Sequence, residues 1–126
     1  MDRPGLPAFS LNTDMAVITS IANDYSYNDI FARQIKTLGN EGDIAIAIST
    51  SGNSRNILKA VDAAKRKKIK TIAFTGLKGA DFAARCDYAF TVPSEDTPRI
   101  QETHITLGHI ICQIVEELLF HAPGKR

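Results

Sequence analysis

This sequence of 126 residues is first informative for what it has little of. It contains no tryptophan, two cysteines and a formal net charge of only +1. No apolar run approaches the roughly 20 residues of a membrane-spanning helix, and so small a net charge gives no strong signal for nucleic acid or a membrane surface. Because Cys86 and Cys112 lie far apart, they indicate neither a disulfide nor a metal motif. We expect buried free thiols in a reducing cytoplasm.

What is present fits a single α/β domain over residues 1–126. Apolar residues make up 44% and charged residues 23% of the chain, as is usual for a globular domain. The strand-like segments are residues 8–11, 44–48, 71–76 and 88–92. Helical patterns alternate with them: residues 16–21, 30–38, a helix after residue 54 that ends in the cations at 65–68, and residues 79–85 and 98–120. This alternation predicts βαβ units and a mostly parallel sheet, in which ligands bind beyond the carboxyl ends of the strands.

The most informative stretch runs from residue 44 to residue 54. Residues 44–48 are apolar and β-branched in part, which predicts a strand buried on both faces. Residues 49–54 read Ser-Thr-Ser-Gly-Asn-Ser, and a helical pattern follows at once. A helix that starts after a polar turn offers unpaired N–H groups and a positive dipole end to an anion.

Two interpretations of this turn are open. Ser54 could simply cap the following helix, or the hydroxyls of Ser49, Thr50, Ser51 and Ser54 could bind an anion. The turn lacks the lysine of a Walker P-loop and is not GxGxxG, so a nucleotide is disfavoured and a small phosphate ester is preferred. The cations at 65–68 are favoured at a helix C-terminus by its dipole, which is a better explanation than nucleic-acid binding.

The last predicted helix has an apolar face that covers more than half of its circumference. A face this wide is more than one sheet needs, so we expect part of it to meet another helix or another subunit. His109 lies on the narrow polar arc and, taken alone, is typical of a solvated surface histidine. His104 lies nearer the apolar side, as a packed histidine does.

Four segments together resemble the phosphoheptose isomerases, which are sugar isomerase (SIS) domain enzymes of bacteria. They are residues 3–8 (RPGLPA), 23–31 (NDYSYNDIF), 49–54 (STSGNS), and 99–102 (RIQE) with His109. The resemblance implies a three-layer sandwich with the SIS strand order 2-1-3-4-5, which is flavodoxin-like. It also implies interconversion of sedoheptulose 7-phosphate and D-glycero-D-manno-heptose 7-phosphate, for lipopolysaccharide heptose synthesis, by a cytoplasmic homotetramer.

The resemblance also assigns roles to residues. Ser49, Thr50, Ser51 and Ser54 would hold the phosphate, while Asn23, Asp24 and Gln101 would contact the sugar. Gln101 and His109 would be zinc ligands, and His109 would act as an acid/base. Since Gln101 and His109 are eight residues apart, about 12 Å along an ideal helix, either Gln101 precedes the regular helix or the site combines different subunits.

Family members begin with a helix and a first βα unit that have no counterpart here. That part carries an Asn-Gly-Gly-Ser turn, with a His and a Glu that ligate zinc, the Glu being also the catalytic base. Because the first strand is internal to the sheet, we expect residues 44–48 to present an open edge. We also expect the chain as given to lack the full acid/base chemistry.

Two further functions compete with the isomerase. One is a non-enzymatic SIS-domain scaffold of the kind that binds the replication initiator DnaA, and the other is a sugar-phosphate sensor that uses only the serine turn. The presence of both Gln101 and His109 favours isomerase ancestry, because a scaffold does not need an imidazole at position 109.

Overall fold

The structure is a computed structural model that describes residues 3–121. Within them the elements follow in this order: α1 (Met15–Asp24), a first 3₁₀ turn (Tyr27–Asp29), α2 (Ile30–Leu38), β1 (Ile44–Ser49), α3 (Arg55–Arg66), β2 (Lys70–Gly76), a second 3₁₀ turn (Leu77–Gly79), α4 (Ala80–Arg85), β3 (Tyr88–Val92), α5 (Thr97–Glu116) and a π-helical turn (Glu117–His121). The predicted helices and three of the four predicted strands are confirmed, with ends shifted by a few residues. No helix in residues 3–121 combines the length and apolar character needed to cross a membrane.

The strands of this region form one parallel sheet in the order β1-β2-β3. In register, Ala47 lies beside Ala73, which lies beside Ala89. Helices α3 and α4 provide the crossovers, as parallel strands require. Since side chains alternate along each strand, these alanines share one face of the sheet. Isoleucine, phenylalanine and tyrosine side chains occupy the other face.

The face that carries the alanines is closed by helices. Ala47 and Ala73 pack with Val61 of α3 and Phe82 of α4, and all four are buried. A second cluster joins α2 to α3: Ala32, Ile35, Ala60, Ala63, Ala64 and Ile69. The small side chains let the helices lie close to the sheet, and the burial of this apolar area stabilises the layer.

Helix α5 covers part of the opposite face. Phe74 of β2 is 2% exposed and contacts the rings of His104 on α5 and Phe90 on β3. The sheet therefore has helices on both sides, and the predicted three-layer α/β sandwich is confirmed. The second helical layer is incomplete in the described residues, because α5 lies over β2 and leaves the isoleucine face of β1 uncovered.

The prediction that residues 44–48 are buried on both faces is wrong. Ile44, Ile46 and Ile48 are 66%, 49% and 53% exposed, because no element of residues 3–121 lies over that half of the sheet. β1 pairs only with β2 in the described region. The predicted open edge at this strand is therefore confirmed.

The predicted strand at residues 8–11 is also wrong. No strand borders β1 to pair with this segment in the described region, so it docks on α2 instead. The buried Gln34 side chain donates a hydrogen bond to the Leu11 carbonyl at 2.9 Å. Phe9 is 70% exposed. Residues 12 and 13, which follow the predicted strand, consequently lie in a turn and not at a strand end.

The remaining local expectations concern the cations at 65–68 and the two cysteines. Lys65, Lys67 and Lys68 bond to Arg85 O, Lys36 O and the Glu41 carboxylate, which fits a solvated helix end. Both cysteines are free. Cys86 is half-buried, whereas Cys112 is exposed because its side of α5 has nothing packed against it in residues 3–121. The expected burial is therefore wrong for Cys112.

Candidate functional site: the serine turn and helix α5

The serine turn, residues 49–54, leads from β1 into α3. Ser49 ends the strand, and its carbonyl and hydroxyl oxygens both accept from the Gly52 N–H, at 3.2 and 3.1 Å. Gly52 has a φ of +71°, a conformation that glycine adopts without strain. The backbone therefore folds tightly around the Ser49 hydroxyl and brings the polar side chains to the start of α3.

The hydroxyls of the turn are only partly used within the protein. The oxygens of Ser49 and Ser54 lie 3.2 Å apart, and Ser51 accepts from the Asn53 N–H at 3.3 Å. Ser54 occupies the N-cap position of α3, yet its side chain makes no capping hydrogen bond. The geometry thus disfavours the interpretation of Ser54 as a simple cap. It leaves hydroxyl donors beside the positive end of a twelve-residue helix, which suits an anion.

Hydrogen bonds from the end of β2 hold the turn in place. The Thr75 hydroxyl donates to Ser49 O at 2.7 Å, and the Gly76 N–H donates to Thr50 O at 3.0 Å. A Cβ atom built on Gly52 would lie 2.6 Å from the Cα of Gly79. The serine turn and the 3₁₀ turn Leu77–Gly79 therefore touch through their backbones. The sequence predicted that residues 75 and 76 end a strand, but Gly79 was not singled out. A glycine one short turn after a predicted strand is the signal that could have identified it.

A cavity of about 150 Å³ opens beside the serine turn. Its lining comes from the loops that follow the three described strands and from the start of α5: Thr50, Ser51, Lys78, Ser94, Glu95, Thr97 and Ile100. Lys78 and Glu95 form an ion pair with Nζ and Oε2 2.8 Å apart. Sequence reasoning missed both, although each lies just past the carboxyl end of a strand, where ligands bind in such sheets.

Gln101 and His109 both lie inside the regular helix α5 and are both exposed. The possibility that Gln101 precedes the helix is therefore wrong, and the separation of about 12 Å along the axis stands. Within residues 3–121, no three His, Cys, Asp or Glu side chains are grouped closely enough to hold a metal ion. Gln101 and His109 therefore do not meet at one point on their helix.

Asn23 and Asp24 are the last two residues of α1. Both are exposed, and the Asn23 amide donates to the Asp24 carboxylate at 3.0 Å. Among the described hydrogen bonds, none joins either side chain to the serine turn. The structure therefore brings together the four predicted hydroxyl residues, whereas no described hydrogen bond links the predicted sugar-contacting or acid/base side chains to them.

His104 connects α5 to the serine turn through β2. Its side chain is 6% exposed, and Nε2 lies 3.2 Å from Thr75 O. Nε2 is then the protonated nitrogen and donates to that carbonyl. In the described region Nδ1 is buried without a hydrogen-bond partner. The prediction of a packed histidine is confirmed, with one ring nitrogen satisfied.

A different electrostatic feature lies at the opposite end of the sheet. Asp87 accepts from the hydroxyl and the N–H of Thr71, at 2.7 and 2.8 Å. The Thr71 hydroxyl, then its N–H, lowers the pKa of Asp87 to about 2, and Lys70 adds a smaller effect. Burial raises the pKa of the neighbouring Cys86 thiol. This cluster joins the starts of β2 and β3 and lies outside the candidate site.

Comparison with known proteins gives the family. The SIS domain family matches residues 1–76, more than half of the chain. This chain belongs to the SIS domain family. It is 63% identical over 125 residues to a phosphoheptose isomerase of Thermodesulfovibrio yellowstonii, covering 99% of the chain and 62% of the relative. It is 54% identical over 119 residues to a phosphoheptose isomerase of Aneurinibacillus thermoaerophilus, covering 94% of the chain and 60% of the relative. The SIS chain thus spans about three-fifths of the length of these curated relatives.

Solved structures agree with this assignment. A phosphoheptose isomerase from Francisella tularensis matches 91% of the chain and 62% of its own length, with a TM-score of 0.88 and 42% identity. The enzyme from Neisseria gonorrhoeae matches 85% of the chain and 60% of its own length, with a TM-score of 0.82 and 42% identity. The predicted SIS fold and the resemblance to phosphoheptose isomerases are therefore confirmed.

Proposed function

We propose that this SIS domain binds sugar phosphates as part of a phosphoheptose isomerase. The reaction would interconvert sedoheptulose 7-phosphate and D-glycero-D-manno-heptose 7-phosphate in cytoplasmic heptose synthesis for lipopolysaccharide. The observation that carries the proposal is the serine turn, whose hydroxyls are only partly used within the protein and meet the start of α3. The named isomerases among the relatives support the choice of reaction.

The phosphate would lie at the serine turn. Ser49, Thr50, Ser51 and Ser54 can donate hydroxyl protons to phosphoryl oxygens, and the first N–H groups of α3 add backbone donors. The Thr75 and Gly76 hydrogen bonds hold the turn against β2. A prearranged set of donors binds an anion with little loss of conformational entropy.

The acid/base step requires groups from more than one segment. Aldose–ketose isomerisation moves a proton between neighbouring carbons, so an acid and a base must flank the sugar. We assign His109 as one such group, because histidine is the side chain that most often serves in general acid–base catalysis. Asn23, Asp24 and Gln101 would contact the sugar. These residues belong to α1 and α5, and Gln101 and His109 are about 12 Å apart along their helix. An assembly of chains would gather them at one sugar.

A homo-oligomer, expected to be a tetramer, would provide that assembly. Helix α5 supports this, because it exposes large apolar side chains: Ile105, Ile110, Ile114, Val115. An exposed apolar face on a helix is typical of a protein–protein contact. Zinc remains part of the proposal, with Gln101 and His109 as two ligands and the others from outside the described residues.

The proposal is tested by binding and turnover measured separately. Isothermal titration calorimetry with sedoheptulose 7-phosphate should show binding that Ser51→Ala weakens about tenfold or more, since a hydrogen bond to a charged group contributes about 1.5–3 kcal/mol. Ser20→Ala on α1 is the control, because that hydroxyl bonds only within its own helix, to Val17 O.

Turnover is followed by NMR of the two heptose phosphates. We expect none from this chain alone, and turnover from a chain extended at its N-terminus with the first βα unit of a relative. His109→Ala in the extended chain should then abolish it. Sugar-phosphate binding that is unchanged by Ser51→Ala counts against the phosphate assignment. Binding without turnover in the extended chain favours the scaffold or the sensor.

A further inference from the structure

The serine turn contains no charged side chain to balance a phosphate. Residues 49–54 carry hydroxyl, amide and glycine groups only. A phosphate monoester carries about −1.5 to −2 charges near pH 7, and burial against neutral groups alone is costly. The cavity beside the turn is lined in the described structure by a single cation, Lys78, and a single carboxylate, Glu95.

The backbone places Lys78 next to the turn. It is the central residue of the 3₁₀ turn Leu77–Gly79, whose Gly79 touches Gly52 of the serine turn. The preceding Gly76 donates its N–H to Thr50 O. Because these contacts are made by backbone and glycine atoms, they fix the base of the lysine side chain and leave its long stem free to move. Its ammonium group is therefore within reach of a ligand on Thr50 and Ser51.

The present partner of Lys78 is easy to exchange. Lys78 and Glu95 are 61% and 57% exposed, and an exposed ion pair of this kind is worth about 0–1 kcal/mol. The loop that carries Glu95 is held to the same site, because the Leu77 N–H donates to Ser94 O at 3.0 Å. A phosphate that carries up to two charges is a stronger partner for an ammonium group than a single exposed carboxylate.

We propose that Lys78 is the counter-charge for the bound phosphate, and that Glu95 holds the ammonium group until the ligand displaces it. The proposal rests on the proposed function and narrows it. Lys78 would favour anionic phosphate esters over neutral sugars, because a phosphate can pair with its ammonium group, whereas a neutral sugar would leave the ammonium group on Glu95. Lys78 is thus a specificity-determining residue that the family resemblance did not assign.

Arg55 offers the matched comparison. It is the first residue of α3 and is exposed, so it lies close to the turn in sequence. It is not among the residues that line the cavity. If any positive charge near the turn were sufficient for phosphate binding, Arg55 and Lys78 would contribute equally to the affinity. If the cavity is the binding site, the loss of Lys78 has much the larger effect.

The test measures the dissociation constant of sedoheptulose 7-phosphate by calorimetry for the whole chain and for Lys78→Met, Glu95→Gln and Arg55→Met. We expect Lys78→Met to weaken binding about ten- to hundredfold. Glu95→Gln should tighten it about two- to fivefold, because a competing negative charge is removed. Arg55→Met should stay within about twofold.

Raising the salt concentration should weaken binding less in Lys78→Met than in the wild type. Inorganic phosphate is titrated as a second probe and should give the same order.

The outcomes separate this proposal from the proposed function. If Ser51→Ala weakens binding and Lys78→Met does not, the counter-charge proposal is overturned and the phosphate site stands. If Glu95→Gln weakens binding, the displacement of Glu95 is overturned. If the wild type binds neither probe, or Ser51→Ala has no effect, both proposals fail. Circular dichroism melting curves confirm that each variant is folded, which the exposure of Lys78 and Glu95 favours.

Discussion

The serine turn and helix α5 carry two halves of the candidate site, and the described chain builds them to different degrees. In the turn, four hydroxyl residues within six positions are gathered by a glycine, a strand end and a helix start. On α5, Gln101 and His109 face solvent eight residues apart. Anion binding can be local because a βα turn positions its own donors. Proton transfer needs groups from distant segments, which no single helix can supply.

The largest expected effect is in the turn itself. Gly52→Ala places a Cβ 2.6 Å from a Gly79 backbone atom at a φ of +71°, so steric overlap adds to left-handed strain. We expect a loss of about 2–4 kcal/mol in the free energy of unfolding, measured by urea denaturation, and loss of phosphate binding. Gly42→Ala is the control, because its φ of +92° is also strained but nothing lies within 4 Å. It should cost about 1 kcal/mol, and equal costs would contradict the packing argument.

A smaller effect is expected where the two halves are joined. His104→Leu removes the hydrogen bond to Thr75 O that fastens α5 to β2, and should cost about 1 kcal/mol. Amide hydrogen exchange should speed up at residues 97–108 and stay unchanged in α3. The same substitution at the exposed His109 is the control and should leave exchange unaltered. An unchanged exchange pattern in His104→Leu would mean that this contact does not hold the helix.

The Asp87 cluster tests whether the opposite end of the sheet is independent of the turn. The folded state lowers the pKa of Asp87 from its ordinary value of 3.8 to about 2, so the carboxylate stabilises the fold above pH 4. That stabilisation is lost as the pH falls from about 4 to about 2. We expect the melting temperature to drop over this range, and to drop less in Asp87→Asn. At pH 7 phosphate binding by Asp87→Asn should equal that of the wild type, whereas impaired binding would tie the two ends together.

The smallest effects are expected on α5. Gln101→Ala and His109→Ala should change the free energy of unfolding by no more than about 0.5 kcal/mol, because both side chains are exposed. Binding of inorganic phosphate should stay within twofold of the wild type in calorimetry. A large loss in either variant would show that α5 contributes to the phosphate site and would remove the contrast between the halves.

Local patterns predicted most of the fold. The apolar run at 44–48 identified β1, and the cations at 65–68 identified the end of α3, because each reflects local backbone or dipole preferences. The burial of β1 was mispredicted, since exposure depends on which elements lie over the sheet. The strand at residues 8–11 failed for the same reason, because its pairing partner is absent from the described residues.

The site was predictable to the extent that it is local. The hydroxyls of residues 49–54 could be identified from the sequence because the turn gathers them by itself. Lys78 and Glu95 were not identified, because the rule that ligands bind past the carboxyl ends of parallel strands does not say which loop side chains face the turn. His104 could be expected to pack, but its bond to Thr75 O depends on where α5 crosses the sheet.

The open edge of β1 also affects how the isolated chain behaves in solution. Residues 44–48 form an apolar run without charge, glycine or proline, and in the described structure one side of their backbone is unpaired. A strand edge of this kind is a template for a strand from another molecule, and such segments are prone to stack into cross-β fibrils. Lateral association should therefore compete with correct assembly and grow with protein concentration. A helix or strand that covers this edge would prevent such aggregation as well as complete the fold.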